Sequence, residues 1–180
     1  MKLNLQNAIG VMIDFQEKLA PAIYENQEII ENTAMFVKGL QELEVPFLVT
    51  QQYTKGLGET VAPIKDVIPA FTSVEKTSFS CCGAEEFVEL LKKSGKDTVL
   101  VTGIEAHICV MQTVIDLLEA GMKVFVVADC VGSRKAYNKN YAIDRMLAEG
   151  AFITTAEAAL FEMTGGAKSP HFKAISKLVK

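Results

Sequence analysis

The sequence predicts a three-layer α/β/α fold with a central, mostly parallel sheet, carried by a single domain over residues 1–180. Three observations lead there. Short apolar runs alternate with amphipathic stretches along the whole chain, which is the order of an α/β protein. The runs are almost unbroken by polar residues, as strands covered by helices on both faces require. A chain of 180 residues that is 49% apolar and 22% charged buries about 70% of its unfolded surface in one core, without a disulfide or metal staple. No internal repeat, low-complexity segment or linker divides it.

The elements follow in order. Ala8-Ile9-Gly10-Val11-Met12-Ile13 is β-rich and stops at Asp14. Residues 28–43 set Ile29, Ile30, Ala34, Val37, Leu40 and Leu43 near helical spacing. Pro46-Phe47-Leu48-Val49-Thr50 is the next strand. Residues 54–83 hold Gly56, Gly58, Pro63 and Pro69 and read as one long irregular region, a length usually reserved for function. Residues 84–93 form a helix with Phe87, Leu90 and Leu91 on one face, capped by Gly95. Thr98-Val99-Leu100-Val101-Thr102 is a strand stopped by Gly103. A helix at 109–119 follows, with Gly121 as its C-terminal cap. Val124-Phe125-Val126-Val127-Ala128 is a strand stopped by Asp129, residues 138–149 are a helix capped by Gly150, and Ala151-Phe152-Ile153-Thr154 is a short strand. From Ala156 the chain reads as two helical pieces around Gly165-Gly166.

Composition narrows the function. Net charge is -4, from 18 basic and 22 acidic residues, so no basic footprint for nucleic acid is present. The chain has no Trp, and its four Tyr and ten Phe are scattered, which leaves no base-stacking platform. No apolar run approaches the roughly 18 residues of a membrane span. The start, Met1-Lys2-Leu3-Asn4, lacks the basic and apolar regions of a signal peptide. The expectation is a cytoplasmic protein with no membrane or nucleic-acid partner, its cysteines (Cys81, Cys82, Cys109 and Cys130) held as thiols.

In an open α/β sheet, ligands bind beyond the carboxyl ends of the strands, so the residues that follow each strand are the candidates. Asp14 follows an apolar run, where a carboxylate is partly desolvated and needs a cation or donors. Cys109 lies at a helix start, where free N–H groups and the helix dipole favour thiolate. Cys81, Cys82 and Cys130 lack that setting and read as structural. His107 sits two residues from Cys109 and faces another side of the helix, so a direct pair is not expected. His171, after Ser169-Pro170, reads as a surface residue at a helix start. Taken alone, Lys76 is a solvated lysine.

Read together, these segments resemble a family. Asp14-Phe15-Gln16 after an apolar strand, Lys76-Thr77-Ser78-Phe79-Ser80, Gly103-Ile104-Glu105-Ala106-His107-Ile108-Cys109-Val110, and Asp129-Cys130-Val131-Gly132-Ser133-Arg134 resemble, in that order, the motifs of the isochorismatase-like cysteine hydrolases, relatives of the nicotinamidases. The likeness runs from about residue 5 to the C-terminus, and Gln51-Gln52-Tyr53 points to the isochorismatase-domain-containing subgroup. It implies the family's Rossmann-like fold and a catalytic triad of Asp14, Lys76 and Cys109. It also implies a cis peptide at Ile104–Glu105 that turns the Glu105 N–H toward that of Cys109, so that two donors face a developing oxyanion. Phe15, Gln16, Tyr53, Phe79 and His107 are the expected pocket walls for a small-molecule substrate.

The leading expectation is a hydrolase that cleaves a C–N bond through a thioacyl intermediate on Cys109. Lys76 and the helix start are expected to bring the thiol modestly below the roughly 8.5 of a free cysteine, with Asp14 opposing. Nicotinamidases carry Asp-x-His and a further His after the second strand. Here Gln51-Gln52-Tyr53-Thr54-Lys55 offers no such ligands, and no metal or other cofactor is expected. The family also implies a homo-oligomer, and the mean hydropathy of +0.22 is consistent with apolar surface shared between subunits. The alternatives are a non-catalytic or thiol-redox protein retaining the fold, and a vinyl-ether hydrolase of the isochorismatase type.

Overall fold

In a computed structural model covering residues 1–180, the strands are β1 (Ala8–Ile13), β2 (Phe47–Gln52), β3 (Val74–Lys76), β4 (Thr98–Ile104), β5 (Lys123–Gly132) and β6 (Phe152–Thr154). They form one sheet in the order β3-β2-β1-β4-β5-β6. Every pairing is parallel, so the sheet is wholly rather than mostly parallel. The chain runs outward from β1 to β3, then returns to β4 on the other side of β1. That reversal opens a crevice at the carboxyl ends of β1 and β4.

The helices are α1 (Asn26–Glu42), α2 (Thr54–Leu57), α3 (Ala62–Lys65), α4 (Glu85–Ser94), α5 (Met111–Glu119), α6 (Ala136–Ala148), α7 (Ala156–Thr164) and α8 (Phe172–Leu178). Alternation along each strand assigns their layers. Ile9, Val11 and Ile13 of β1 pack with Phe87 of α4, Val114 and Leu117 of α5 and Met146 of α6. Ala8 points the other way, into a cluster with Phe36 and Leu40 of α1, Leu160 of α7 and Ile175 of α8. Met12 does the same, beside Val37 of α1 and Val49 of β2. Each large side chain buried this way stabilises by about 1.5–3 kcal/mol. No helix is long and apolar enough to cross a membrane.

Three elements differ from the expectation, each for a local reason. The region read as irregular, 54–83, contains α2, α3 and the strand β3. Val-Glu-Lys is too short and too charged to signal a strand, as suits an edge position. Gly103 does not stop β4, which continues to Ile104. Its φ is +147° and a Cβ there would lie 2.6 Å from the Ile13 carbonyl oxygen, so only glycine lets β4 run this close to β1. Asp129 does not stop β5 either. Its carboxylate accepts the Ala156 N–H at the start of α7 at 2.8 Å, which satisfies the charge within the strand.

Candidate active site

The register of the edge strands assembles the first part of the site. Ile13 is the Cα partner of Thr50, Val74 of Thr50 and Lys76 of Gln52. Thr50, Gln52 and Lys76 therefore share one face of the sheet. Asp14 leaves β1 with φ +55°, a left-handed conformation that aspartate tolerates, and its carboxylate meets that face. Lys76 Nζ donates to Asp14 Oδ2 at 2.7 Å and Thr50 Oγ1 donates to Oδ1 at 2.8 Å. Both side chains of the ion pair are 0% exposed. Lys76 Nζ also meets Gln52 Oε1 at 2.7 Å and the carbonyls of Phe79 at 3.0 Å and Ser78 at 3.2 Å. Buried charges are tolerated when their remaining lone pairs and protons are satisfied, and no buried side-chain nitrogen or oxygen in the protein lacks a partner.

Cys109 arrives from the other side of the switch point. It sits in a π-helical turn, Ala106–Val110, between β4 and α5, an irregularity frequent at functional sites. Ala106 and Val110 anchor the turn in the core. Thr113 Oγ1 donates to the Cys109 carbonyl at 2.7 Å and accepts the Cys81 N–H at 3.0 Å, tying the turn to the segment before α4. Cys109 is 6% exposed. Burial pushes its thiol up. The charge of Asp14 pushes it the same way, Lys76 opposes, and the hydrogen bond to Asp14 raises it further, to about 12. The expected lowering is thus reversed: dehydration and the neighbouring carboxylate outweigh the lysine and the helix start. At neutral pH the Cys109 thiol therefore stays protonated, beside the Asp14 carboxylate. Burial likewise raises Cys81, to about 12, and also Cys82 and Cys130.

The remaining sequence candidates separate into two groups. The Ile104–Glu105 peptide is cis, and the Glu105 carboxylate accepts the Arg134 main-chain N–H at 3.0 Å and Arg134 Nε at 3.1 Å. Tyr53 and Phe79 are half-exposed, at 53% and 55%. The Tyr53 N–H donates to the Lys76 carbonyl and the Phe79 carbonyl accepts from Lys76 Nζ, so both residues adjoin the lysine through their main chains. Phe15 and Gln16 turn inward instead, and His107 is partly buried. Phe15 is 2% exposed among Met12, Ile23, Ile64 and Ile104. Gln16 spends its amide on the main chain: Nε2 donates to the carbonyls of Gln52 and Gly58, and Oε1 accepts the Gln52 N–H at 2.7 Å. His107 Nδ1 meets Ser133 Oγ at 2.9 Å and Nε2 meets the Asn138 amide at 3.4 Å. That histidine fastens α6 to the π-turn. His171 Nδ1 pairs with Glu42 at the start of α8.

A cavity of about 350 Å³ opens beside Glu105, lined by Lys18, Leu19, Ala22, Ile23 and Arg134. No three His, Cys, Asp or Glu side chains converge as a metal site would need. Gln51 lies on the opposite face from Gln52, bonded to Thr60. Sequence reasoning missed Thr50, Gln52, Thr113 and Arg134. The signal for the first two is the alternation of β2, which puts both on the side of Lys76 once β3 is recognised as a strand.

Comparison with known proteins fits this arrangement. The isochorismatase domain profile matches residues 8–158. Isochorismatase domain-containing protein 2 of Xenopus laevis is 36% identical over 179 residues, 99% of this chain and 86% of the relative. Among solved structures, the MAR1 ribonuclease of Caenorhabditis elegans superposes with a TM-score of 0.93 at 39% identity, over 99% of this chain and 92% of that one. The YcaC product of Escherichia coli, described as an octameric hydrolase of unknown specificity, shares the fold with a TM-score of 0.90 at 21% identity, over 99% and 95%. Such membership supports a hydrolase-type function. With profile, relatives and fold in agreement over nearly its whole length, the chain belongs to the isochorismatase family.

Proposed function

We propose that the protein is a cysteine hydrolase that cleaves a C–N bond of a small amide-type substrate, using Cys109 as nucleophile, Asp14 as the proton carrier and Lys76 as a fixed counter-charge. The observation that carries this reading is the buried Asp14–Lys76 pair at 2.7 Å, with the Cys109 thiol close enough to feel the charge of both partners. As Cys109 sulfur attacks the carbonyl carbon, its proton passes to Asp14. The C–N bond breaks and the leaving nitrogen takes that proton. Asp14, again a carboxylate, removes a proton from water. The resulting hydroxide attacks the thioester, the C–S bond breaks, and the proton on Asp14 returns to the sulfur. The backbone N–H groups of Glu105 and Cys109 are the donors this reading assigns to the oxyanion. No metal or cofactor takes part. The cavity beside Glu105, which Asp14, Lys76 and Cys109 do not line, has a volume within the range for small ligands, and Tyr53 and Phe79, outside that cavity, are assigned to the approach to Lys76. A thiol-reducing, cytoplasmic setting keeps Cys109 competent, and the working form is a homo-oligomer.

A second reading has one observation behind it: the C. elegans relative is called a ribonuclease. Two features favour the first. The Lys76 ammonium is fully enclosed by its acceptors, so it offers no exposed cation to a phosphate, and the chain carries a net charge of -4. The deciding experiment incubates wild type and Cys109→Ala with a panel of small amides, with isochorismate and with single-stranded RNA, and follows amine or ammonia release, vinyl-ether loss and strand scission. Amine release lost in Cys109→Ala supports the proposal. Turnover of RNA or isochorismate alone refutes it, and inertness toward the whole panel favours a non-catalytic or redox role.

A further inference from the structure

The Lys76 ammonium has three hydrogens and four acceptors. The two nearest, at 2.7 Å, are Asp14 Oδ2 and Gln52 Oε1. The third hydrogen is left to the carbonyls of Phe79 and Ser78. Gln52 thus holds Lys76 as closely as the catalytic carboxylate does, but without a charge. Its amide orientation is fixed from the far end, because Nε2 donates to the Thr77 carbonyl at 2.8 Å. The flipped amide would set an NH₂ group against an ammonium and an oxygen against a carbonyl, so only one orientation is allowed. The residue itself is pinned by its pairing with Lys76 and by Gln16 on its main-chain N–H and carbonyl.

Charge counting gives this neutral ligand a purpose. The groups that face the Cys109 thiol are Asp14 at the end of β1, Lys76 on β3 and the Cys81 thiol before α4. Before proton transfer the carboxylate balances the ammonium. After transfer the thiolate balances it and Asp14 is neutral. The sum is zero in both states. A carboxylate at position 52 would leave one uncompensated negative charge against Lys76 in both, and the thiolate state would suffer most.

We infer that Gln52 is a positioning residue: its carboxamide oxygen fixes the Lys76 ammonium against Asp14 as a neutral ligand, so that the buried triad carries no net charge while the thiol proton moves. This rests on the triad reading above. The test is the rate of Cys109 alkylation by iodoacetamide against pH, measured on the full chain for wild type, Gln52→Glu, Gln52→Met and Lys76→Met, with peptide mapping to isolate Cys109. Gln52→Glu slows alkylation at pH 8 about tenfold or more, one pKa step, and moves the profile to higher pH. Gln52→Met removes an electron-rich oxygen from the ammonium, which strengthens the field at the sulfur and moves the profile to lower pH. A residue that merely supports the fold would move both variants in the same direction. That outcome, or superimposable curves for Gln52→Glu and wild type, overturns the inference. If the glutamate variant does not fold, the methionine variant decides, and an unmoved or raised profile overturns it. An unmoved profile in Lys76→Met overturns the triad itself, which separates the two failures.

Discussion

Replacing Asp14 with asparagine should make Cys109 more reactive and the protein less active, two effects of opposite sign from one substitution. The wild-type thiol is held up to about 12, so at pH 8 about one site in 10⁴ is ionised. Asparagine keeps the shape of the side chain and removes the charge that opposes the thiolate, while Lys76, which favours the thiolate, stays. Each unit by which the thiol falls raises alkylation tenfold below its pKa, so a rise of at least about tenfold at pH 8 is expected. Turnover should fall by about 10²–10⁴, the usual contribution of a positioned acid–base group. The cost is structural. Lys76 keeps Gln52 and two carbonyls but loses its only charged partner inside a sealed box, and breaking such a pair destabilises by about 3–5 kcal/mol. That is a large share of the 5–15 kcal/mol typical of a domain. Iodoacetamide labelling, urea unfolding and an amide turnover assay read the three quantities on one preparation. Unchanged or slower labelling in a folded Asp14→Asn protein would refute the electrostatic account of the site.

Three further outcomes are expected. Cys81 and Cys109 have folded-state values near 12 against a reference of 9.0, so the unfolded chain releases these protons first. Stability is then fully present below pH 9 and declines as pH rises from 9 toward 12. A urea midpoint that stays constant from pH 8 to 10.5 would contradict this. Gly103→Ala would push a Cβ to 2.6 Å from the Ile13 carbonyl oxygen at φ +147°, and a loss of about 3 kcal/mol or more is expected for such overpacking in a strained conformation, read by thermal or urea unfolding; a loss below 1 kcal/mol would show that β4 can draw back. Gln16→Ala strips the partners from the Gln52 N–H and the Gly58 carbonyl, at about 1–3 kcal/mol for each group left buried and unpaired. Wild-type stability in that variant would show that water replaces the clamp.

The layers of this fold were legible because burial on both faces leaves an unmistakable apolar run. Val124 to Val127 and Ile9 to Ile13 announce themselves as central parallel strands. Of the two edges, β6 was legible from Ala151-Phe152-Ile153-Thr154, and β3 was not. Val74-Glu75-Lys76 has one apolar residue, because an edge strand has a single neighbour and a partly open face, so the same physics that makes β5 readable makes β3 silent. That silence had a consequence for the site. With β3 unread, Lys76 belonged to a loop and had no fixed neighbours. With β3 in register against β2, Gln52 and Thr50 become its neighbours by geometry alone. Similarly, the burial of Phe15 and Gln16 leaves no mark in the sequence. Position along the chain does not say which way a side chain turns when the backbone takes a left-handed step at Asp14 or a π-turn at Cys109.

The thiol illustrates a different limit. A helix start and a lysine both favour thiolate, and both can be seen in the sequence. Desolvation cannot, since it depends on what closes over the sulfur, and here it is the largest influence. The reversed sign changes the chemistry. A pre-formed thiolate would need no base, and Asp14 beside it would only repel it. In the proposed mechanism a neutral thiol makes the Asp14 carboxylate indispensable, because it is the group assigned to take the thiol proton as the sulfur attacks. The same dehydration that keeps the sulfur protonated at rest shields it from solvent electrophiles and oxidants, which act on thiolates. On the proposed mechanism a substrate carbonyl aimed at the sulfur draws the proton across at the moment of attack, and Lys76, bonded to Gln52 and Asp14, is already in place to balance the charge that moves.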